Sequence, residues 1–96
     1  MRIKNINGTS QTNCACGSWL KHWANFSGQM ATRCPAENCP NTDLVGAHVQ
    51  KAEGSDDRWY IYPLCDAHNL SNGVITVSDT YHLVSANKQA TCEKWR

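Results

Sequence analysis

The chain carries two short motifs of metal-ligand side chains, CPAENC at residues 34–39 and CDAH at residues 65–68. Each motif contains one close pair of ligands, and 25 residues separate the two pairs. Zinc binds four nitrogen or sulfur ligands in a tetrahedron, and two close pairs supply them with little additional ordering of the chain. The spacing therefore predicts a structural zinc site. Its four predicted ligands are Cys34, Cys39, Cys65 and His68.

The residues between the two motifs predict a β-hairpin. Residues 43–50 form a short extended run, and residues 59–64 are rich in the aromatic and β-branched side chains that favour strands. A polar, glycine-containing loop separates them. The chain from Cys65 to Gly73 then has the length of one or two helical turns. A turn with one ligand pair, a hairpin, and a helix whose first turn carries the other pair is the layout of a treble-clef zinc finger.

Two interpretations of the motifs stay open. The first is the zinc site. In the second, Cys65 and His68 are packed core residues and the loop of Cys34 is an ordinary turn, which leaves solvent-near thiols unexplained. The metal interpretation agrees better with electrostatics, because the exposed N–H groups at a helix N-terminus stabilise a thiolate. We therefore expect a small, zinc-stabilised α+β fold of the treble-clef type with its core over residues 34–72.

The segments on either side of this core predict further elements. Residues 1–13 form a polar lead-in, to which we assign little function. An amphipathic N-terminal helix follows, capped by Ser18 and ended by Gly28. Its apolar stripe is more typical of core than of a ligand-stacking surface. The stripe contains Trp19, Leu20, Trp23, Phe26 and Met30. Residues 74–78 and 81–85 predict a short C-terminal hairpin.

Length and composition fit a single domain, residues 1–96, with a thin core. Only 15 of the 96 residues are Leu, Ile, Val or Phe, but a formal net charge of +1 argues against disorder. Such a small chain usually needs a staple, and bound metal is one. No apolar run approaches the roughly 18 residues of a membrane span, and the first residues lack the apolar region of a signal peptide. These features predict a cytoplasmic protein without membrane contact, whose thiols stay reduced.

Besides the four predicted ligands and His48, which is discussed below, five Cys and His residues have no role in the predicted fold. For Cys14, Cys16 and Cys92, three interpretations stay open: additional zinc ligands, a disulfide from Cys92 to one of the other two, or reduced buried thiols. The lone histidines His22 and His82 are more typical of surface or hydrogen-bonding residues than of ligands.

In two places the sequence resembles a known family. The strand end GAHV at residues 46–49 and the run PLCDAHN at residues 63–69 are similar to the ββα-metal core of HNH (His-Me finger) endonucleases, in their zinc-containing branch. The resemblance implies that His48 is the general base for the water that attacks a phosphodiester, a role that suits an imidazole with an unperturbed pKa of about 6.5. It also implies that Asn69 binds a catalytic divalent cation such as Mg²⁺.

Two positions depart from the family pattern. Ala47 stands where the family usually has an Asp or His that binds the catalytic cation, and Tyr60 stands near the position of its central Asn. The carboxylates that could substitute are Asp43, Asp56 and Asp57. The other interpretation of His48 is a histidine at a strand end that is hydrogen-bonded to a loop carbonyl.

The resemblance implies DNA or RNA as the partner. Cationic and aromatic side chains for phosphate contact and base stacking lie beside the hairpin loop. These residues are Lys51, Arg58 and Trp59. A second cluster is more typical of a solvated surface and consists of Lys88, Lys94, Trp95 and Arg96.

Three functional hypotheses follow. The first is a zinc-binding HNH-like domain that binds nucleic acid and could cut it as a metal-dependent endonuclease. The second is a catalytically inactive treble-clef module that serves as a protein or nucleic-acid interaction domain. The third is a thiol redox protein, which we rank last because the chain lacks a Cys-x-x-Cys motif beside a βαβ pattern.

Overall fold

The computed structural model describes residues 1–6, 18–56, 58–71 and 73–86. Over these residues the chain forms a small α+β fold, in which one antiparallel sheet is accompanied by two helices. The elements are β1 (Arg2–Asn5), α1 (Trp19–Ser27), β2 (Leu44–Lys51), β3 (Tyr60–Cys65), α2 (Asp66–Asn69), β4 (Val74–Thr76) and β5 (Val84–Ser85). Neither described helix is long and apolar enough to cross a membrane.

The sheet has the strand order β4-β1-β2-β3-β5. The predicted hairpin is confirmed: β2 and β3 are antiparallel neighbours, with Leu44 opposite Cys65 and Val49 opposite Tyr60. Because this register sets the start of β2 beside the end of β3, the hairpin brings Cys65 to the end of the sheet at which β2 begins.

The N-terminal segment is more than a lead-in. β1 lies inside the sheet and pairs with both β2 and β4, and Ile3 is completely buried in the core. The prediction of little role for residues 1–13 is therefore wrong over this strand. Alternation of exposed Arg2 and Lys4 with buried Ile3 is the strand signal. It spans only four residues, and both pairing partners lie far along the chain.

Helix α1 begins and ends where the sequence predicts. The Ser18 hydroxyl accepts a hydrogen bond from the N–H of Lys21 at 3.1 Å, and Gly28 ends the helix in the left-handed region at φ 72°. The predicted stripe is too long, because Met30 lies beyond this end and is 82% exposed, and Phe26 is also exposed. The buried side chains of α1 are Trp19, His22 and Trp23.

The predicted C-terminal hairpin is wrong. β4 pairs with β1 at one edge of the sheet, whereas β5 pairs with β3 at the other edge. The two segments do not pair with each other because β1 and β3 each offer a free edge, to which one of them adds. The residues between β4 and β5 therefore run from one edge of the sheet to the other. Along this connection, the carbonyl of Tyr81 accepts a hydrogen bond from the Tyr62 hydroxyl, and that of His82 accepts one from Trp23.

The two faces of the sheet are covered differently. We call the side under α1 the helix face; there Trp19 and Trp23 pack with Ile61 of β3. The other side we call the loop face, because the loop of residues 34–39, which we call the cysteine loop, packs there against Ala47 and Val49 of β2. Successive side chains of a strand point to opposite faces, so His48, which lies between Ala47 and Val49, points toward α1.

Candidate metal centre

The structure brings the four predicted ligands together. Their ligand atoms all lie within 4.8 Å of one another, and the three cysteines are buried. The ligands come from three places: the cysteine loop, the end of β3, and α2. They are Cys34, Cys39, Cys65 and His68. This Cys3His cluster could hold a metal ion.

Interatomic distances in the cluster suit a tetrahedral ion. Sulfur atoms bound to one zinc at about 2.3 Å lie about 3.8 Å apart, and a sulfur and a nitrogen ligand lie about 3.5 Å apart. The Sγ atoms of Cys39 and Cys65 are 3.8 Å apart. His68 Nδ1 lies 3.2 Å from Cys65 Sγ and 3.7 Å from Cys34 Sγ. Nδ1 is therefore the His68 atom directed at the centre of the cluster.

The cysteine loop is shaped by its own backbone. The N–H of Cys34 donates to the carbonyl of Asn41, and the N–H of Cys39 donates to that of Ala36. Asn38 takes the left-handed conformation with φ 58°, which Asn tolerates better than most residues. A bridge between Ala36 and Val77 attaches the loop to the continuation of β4. The two thiols are thus presented by a closed turn rather than by a flexible segment.

Electrostatics at the end of β3 favour a thiolate. Burial raises the pKa of the Cys65 thiol, but hydrogen bonds from the Asn41 side chain and from His68 outweigh it and lower the pKa. The Asn41 amide lies 3.4 Å from Cys65 Sγ. Cys34 is affected in the opposite direction, because burial raises its pKa. The hydrogen bonds from Asn41 and His68 therefore favour the thiolate form of Cys65.

Two supporting residues of the cluster were not predicted. The carbonyl of Asn41 accepts a hydrogen bond from the N–H of Cys34, and its side-chain amide donates to Cys65 Sγ. Asn5 of β1 donates from its side chain to the carbonyls of His68 and Ser71. Asn41 follows the motif by only two residues, so its position was a usable signal. Nothing in the local sequence connects Asn5 with α2.

His48 lies on the helix face of β2. Its ring meets the Trp19 indole edge-on, with centroids 4.6 Å apart, and only 5% of the residue is exposed. Among the described residues, none hydrogen-bonds to its buried Nδ1. Burial lowers the pKa of His48, and the electrostatic influence of nearby His22 lowers it further. The imidazole is therefore held in its neutral form.

Asn69 belongs to the other side of the sheet. Asn5 is paired with Val49, the neighbour of His48 on β2, and its side chain donates to the carbonyl of His68 in α2 and to that of Ser71 just after the helix. Because paired residues share a face and neighbours alternate, α2 lies on the loop face. The structure thus separates His48, which points toward α1, from the helix that carries Asn69.

Near the hairpin loop, the carboxylate of Asp56 is already engaged by neighbouring side chains. Its carboxylate accepts hydrogen bonds from Arg58 and Tyr60 and forms an ion pair with Lys51 at 3.4 Å. The Arg58 hydrogen bond is the main reason why the pKa of Asp56 is lowered. Trp59, between these residues, is 47% exposed. Both cations predicted to contact phosphate therefore share one carboxylate.

The remaining candidates divide into two groups. Asp43 is exposed just before β2, and Ala47 is buried on the loop face. His82 is exposed, whereas His22 is completely buried with Nε2 3.0 Å from the carbonyl of Ser85. The others lie outside the described residues: Cys14, Cys16, Asp57, Lys88, Cys92, Lys94, Trp95 and Arg96.

Comparison of the chain with protein-family models, curated proteins and solved structures finds no match. Two features of the described residues bear on function. One is the Cys3His cluster on the loop face, and the other is the buried surroundings of His48 on the helix face.

Proposed function

We propose that this protein is a zinc-stabilised, treble-clef-type interaction module without nuclease activity, derived from an HNH-like arrangement. The observation that carries the proposal is the convergence of four ligand atoms within 4.8 Å. Four protein ligands fill a tetrahedral zinc ion and leave no position for water or substrate, which is typical of a structural site. Zinc in this cluster would therefore stabilise the fold rather than perform chemistry.

The cluster connects α2 and the cysteine loop to the end of β3. Helix α2 has only four residues and none of them is buried, so apart from the hydrogen bonds that Asn5 donates to the carbonyls of His68 and Ser71 it has little to hold it. A metal bound by Cys65 and His68 fixes both ends of its first turn. The same ion attaches the cysteine loop to the sheet through Cys34 and Cys39.

The experiment for the zinc proposal is metal analysis of the full chain purified without added zinc, followed by substitution with Co²⁺. We expect about one equivalent in the Cys3His cluster and an absorption spectrum with thiolate-to-cobalt bands. Cys65→Ser should weaken binding and the bands, whereas the matched variant His82→Ala, which changes an exposed histidine, should leave both unchanged. Wild-type protein that folds identically with and without chelator would overturn the proposal.

Loss of nuclease activity is proposed from the surroundings of His48. A general base must reach the proton that it removes, but this imidazole is buried beneath Trp19 and on the opposite side of the sheet from α2. Ala47 offers no cation ligand, and Asp56 is engaged by Arg58. We expect no nicking of supercoiled plasmid with Mg²⁺, Mn²⁺ or Ni²⁺.

A single observation favours the endonuclease as second candidate: the lowered pKa of His48 keeps the imidazole in the form that acts as a base. The assay distinguishes the two. Cation-dependent nicking by wild type that disappears in His48→Ala, while His82→Ala remains active, would establish the endonuclease and refute the inactive module.

Nucleic acid is the proposed partner of the module, through exposed Trp59 and its neighbours Lys51 and Arg58. Aromatic stacking tolerates any base, and the cations contribute weakly because Asp56 neutralises part of their charge. Single-stranded oligonucleotides should quench tryptophan emission, and Trp59→Ala should abolish the response. If a salt-sensitive complex forms equally well with Trp59→Ala, this surface is not the site; if none forms, the partner is a protein.

A further inference from the structure

Helix α1 covers only part of the helix face. It packs over β2, β3 and β5, and it meets β2 at Gly46, near the start of that strand. β1 and β4 follow beyond β2 in the strand order. Their buried residues Ile3 and Ile75 belong to the core of the loop face, and the residues that alternate with these two are exposed. The helix face of β1 and β4 is therefore open to solvent.

One row of side chains crosses this open area. Lys4 of β1 is paired with Val74 of β4 on one side and with Gln50 of β2 on the other. One step beyond the last pair in the register of β2 and β3, Gln50 lies opposite Trp59. Gln50 is two residues after His48, which points toward α1, and paired residues share a face. The whole row therefore lies on the helix face.

Trp59 belongs to this row although it precedes the first residue of β3. Its carbonyl accepts a hydrogen bond from the N–H of Ala86 at 3.1 Å, which continues the ladder between β3 and β5. Two residues further along, Ile61 packs beneath α1, so alternation directs the Trp59 side chain to the same face. Its indole is half-exposed there and is available for stacking.

The row carries a positive charge that no partner neutralises. Lys4 is exposed, and no carboxylate of the described residues pairs with it. Two residues earlier in β1, Arg2 is exposed on the same face, and its ion pair with Glu53 at 3.3 Å is open to solvent and therefore weak. Lys4 is two strands away from Trp59, which is roughly 10 Å at ordinary strand spacing.

Lys51 and Arg58 have a different orientation. Lys51 Nζ lies 5.6 Å and Arg58 Cζ lies 5.8 Å from the ring centroid of Tyr60. Tyr60 packs against the core of the loop face, so both cations are directed to that side of the sheet. A ligand that stacks on Trp59 and lies across the open area therefore meets Lys4 before it meets either of them.

We propose that single-stranded nucleic acid binds across the open helix face, with one base stacked on Trp59 and backbone phosphates on Lys4 and Arg2. The inference rests on the nucleic-acid partner of the proposed function and names the surface that would hold it. Charge complementarity selects this occupant, because the face combines cations with an aromatic ring. A sheet face does not fit into the grooves of a duplex, whereas the splayed bases of a single strand can lie flat on it.

The experiment titrates fluorescein-labelled oligo-dT with the full chain and follows anisotropy over a range of salt concentrations. We expect Lys4→Gln to weaken binding about fivefold at 0.1 M salt and to lower the slope of log K against log salt by about 0.7, the counterion-release values for one phosphate contact on a single strand. Lys21→Gln, which removes an exposed lysine of α1, is the charge-matched control and should change neither. In wild-type NMR, the amide signals of Lys4 and Val74 should shift on binding.

Two results would overturn this inference while the nucleic-acid partner stands. One is binding that Trp59→Ala abolishes but Lys4→Gln and Arg2→Gln leave intact, and the other is wild-type shifts confined to Lys51, Arg58 and the loop face. Failure of wild type to bind any single strand would refute the partner, and this surface with it. The NMR measurement needs no variant, so the test stands even where a substitution impairs folding.

Discussion

The ring of His48 lies edge-on against the indole of Trp19, with the two centroids 4.6 Å apart. This contact joins β2 to α1 at the position where the family resemblance implies a general base. The imidazole is consequently part of the interior packing. Substitutions around it should lower the free energy of unfolding before they change any activity.

Trp19 is the anchor of this packing. We expect Trp19→Ala to lower the free energy of unfolding by about 3–5 kcal/mol, the usual cost of removing a buried aromatic side chain. Urea denaturation followed by circular dichroism measures it. Trp59→Ala, which removes a half-exposed indole, should cost less than about 1 kcal/mol. Similar losses in the two variants would contradict the packing described for α1.

Gly46 is required by the approach of α1. In Gly46→Ala, the new Cβ would meet backbone atoms of Trp19 and Leu20 at 2.4 Å, and backbone cannot move aside cheaply. We expect a loss of about 1–3 kcal/mol, together with changed chemical shifts of the His48 ring. Gly54→Ala is the matched control, because it adds a Cβ in open space at φ 86°. It should cost backbone strain but leave the His48 signals in place.

His48 should make stability depend on pH. Its pKa is lowered in the folded state, so below the unfolded value of 6.5 the unfolded chain binds a proton that the folded chain does not. Stability should therefore fall as pH drops from about 7 toward the folded pKa, and be unaffected by this group above pH 7. The measurement is the difference in unfolding free energy between wild type and His48→Gln across this range, which removes the common contribution of the metal ligands. A difference that is constant from pH 7.5 to 5.5 would refute it.

Asn41 should tune the metal cluster without binding metal. Its side-chain amide donates to Cys65 Sγ, which orients the thiolate and lowers its pKa. Removing a contact of this kind typically costs 10–100-fold in metal affinity, so we expect about that loss in Asn41→Ala. Competition with a chromophoric chelator gives the affinity. Asn25→Ala, an exposed substitution on α1, is the control, and equal affinities in the two variants would exclude the role.

The four members of the Cys3His cluster could be predicted because each pair is local. Cys34 and Cys39 share one turn, Cys65 and His68 share another, and a hairpin between them leaves few ways to arrange the four. The ends of α1 were predictable for the same reason, since Ser18 and Gly28 act within one helical turn.

Contacts between distant segments could not be predicted in this way. β1 finds its partners at Lys51 and Thr76, and no pattern within four residues specifies them. The burial of His22 depends on Ser85, which β5 brings across the sheet. For His48, the sequence indicates a strand but not which face α1 would cover, and that choice decides whether the imidazole meets solvent or Trp19.

The position of β1 also constrains how a newly made chain folds on the ribosome. β1 is synthesised well before β2 and β4, the strands on its two sides, and β4 comes after both ligand motifs. The hairpin and the Cys3His cluster can therefore assemble in the nascent chain while β1 is not yet paired on both sides. Insertion of β1 between β2 and β4 then becomes a closing step, so a strand that is made before both of its partners is among the last to reach its place.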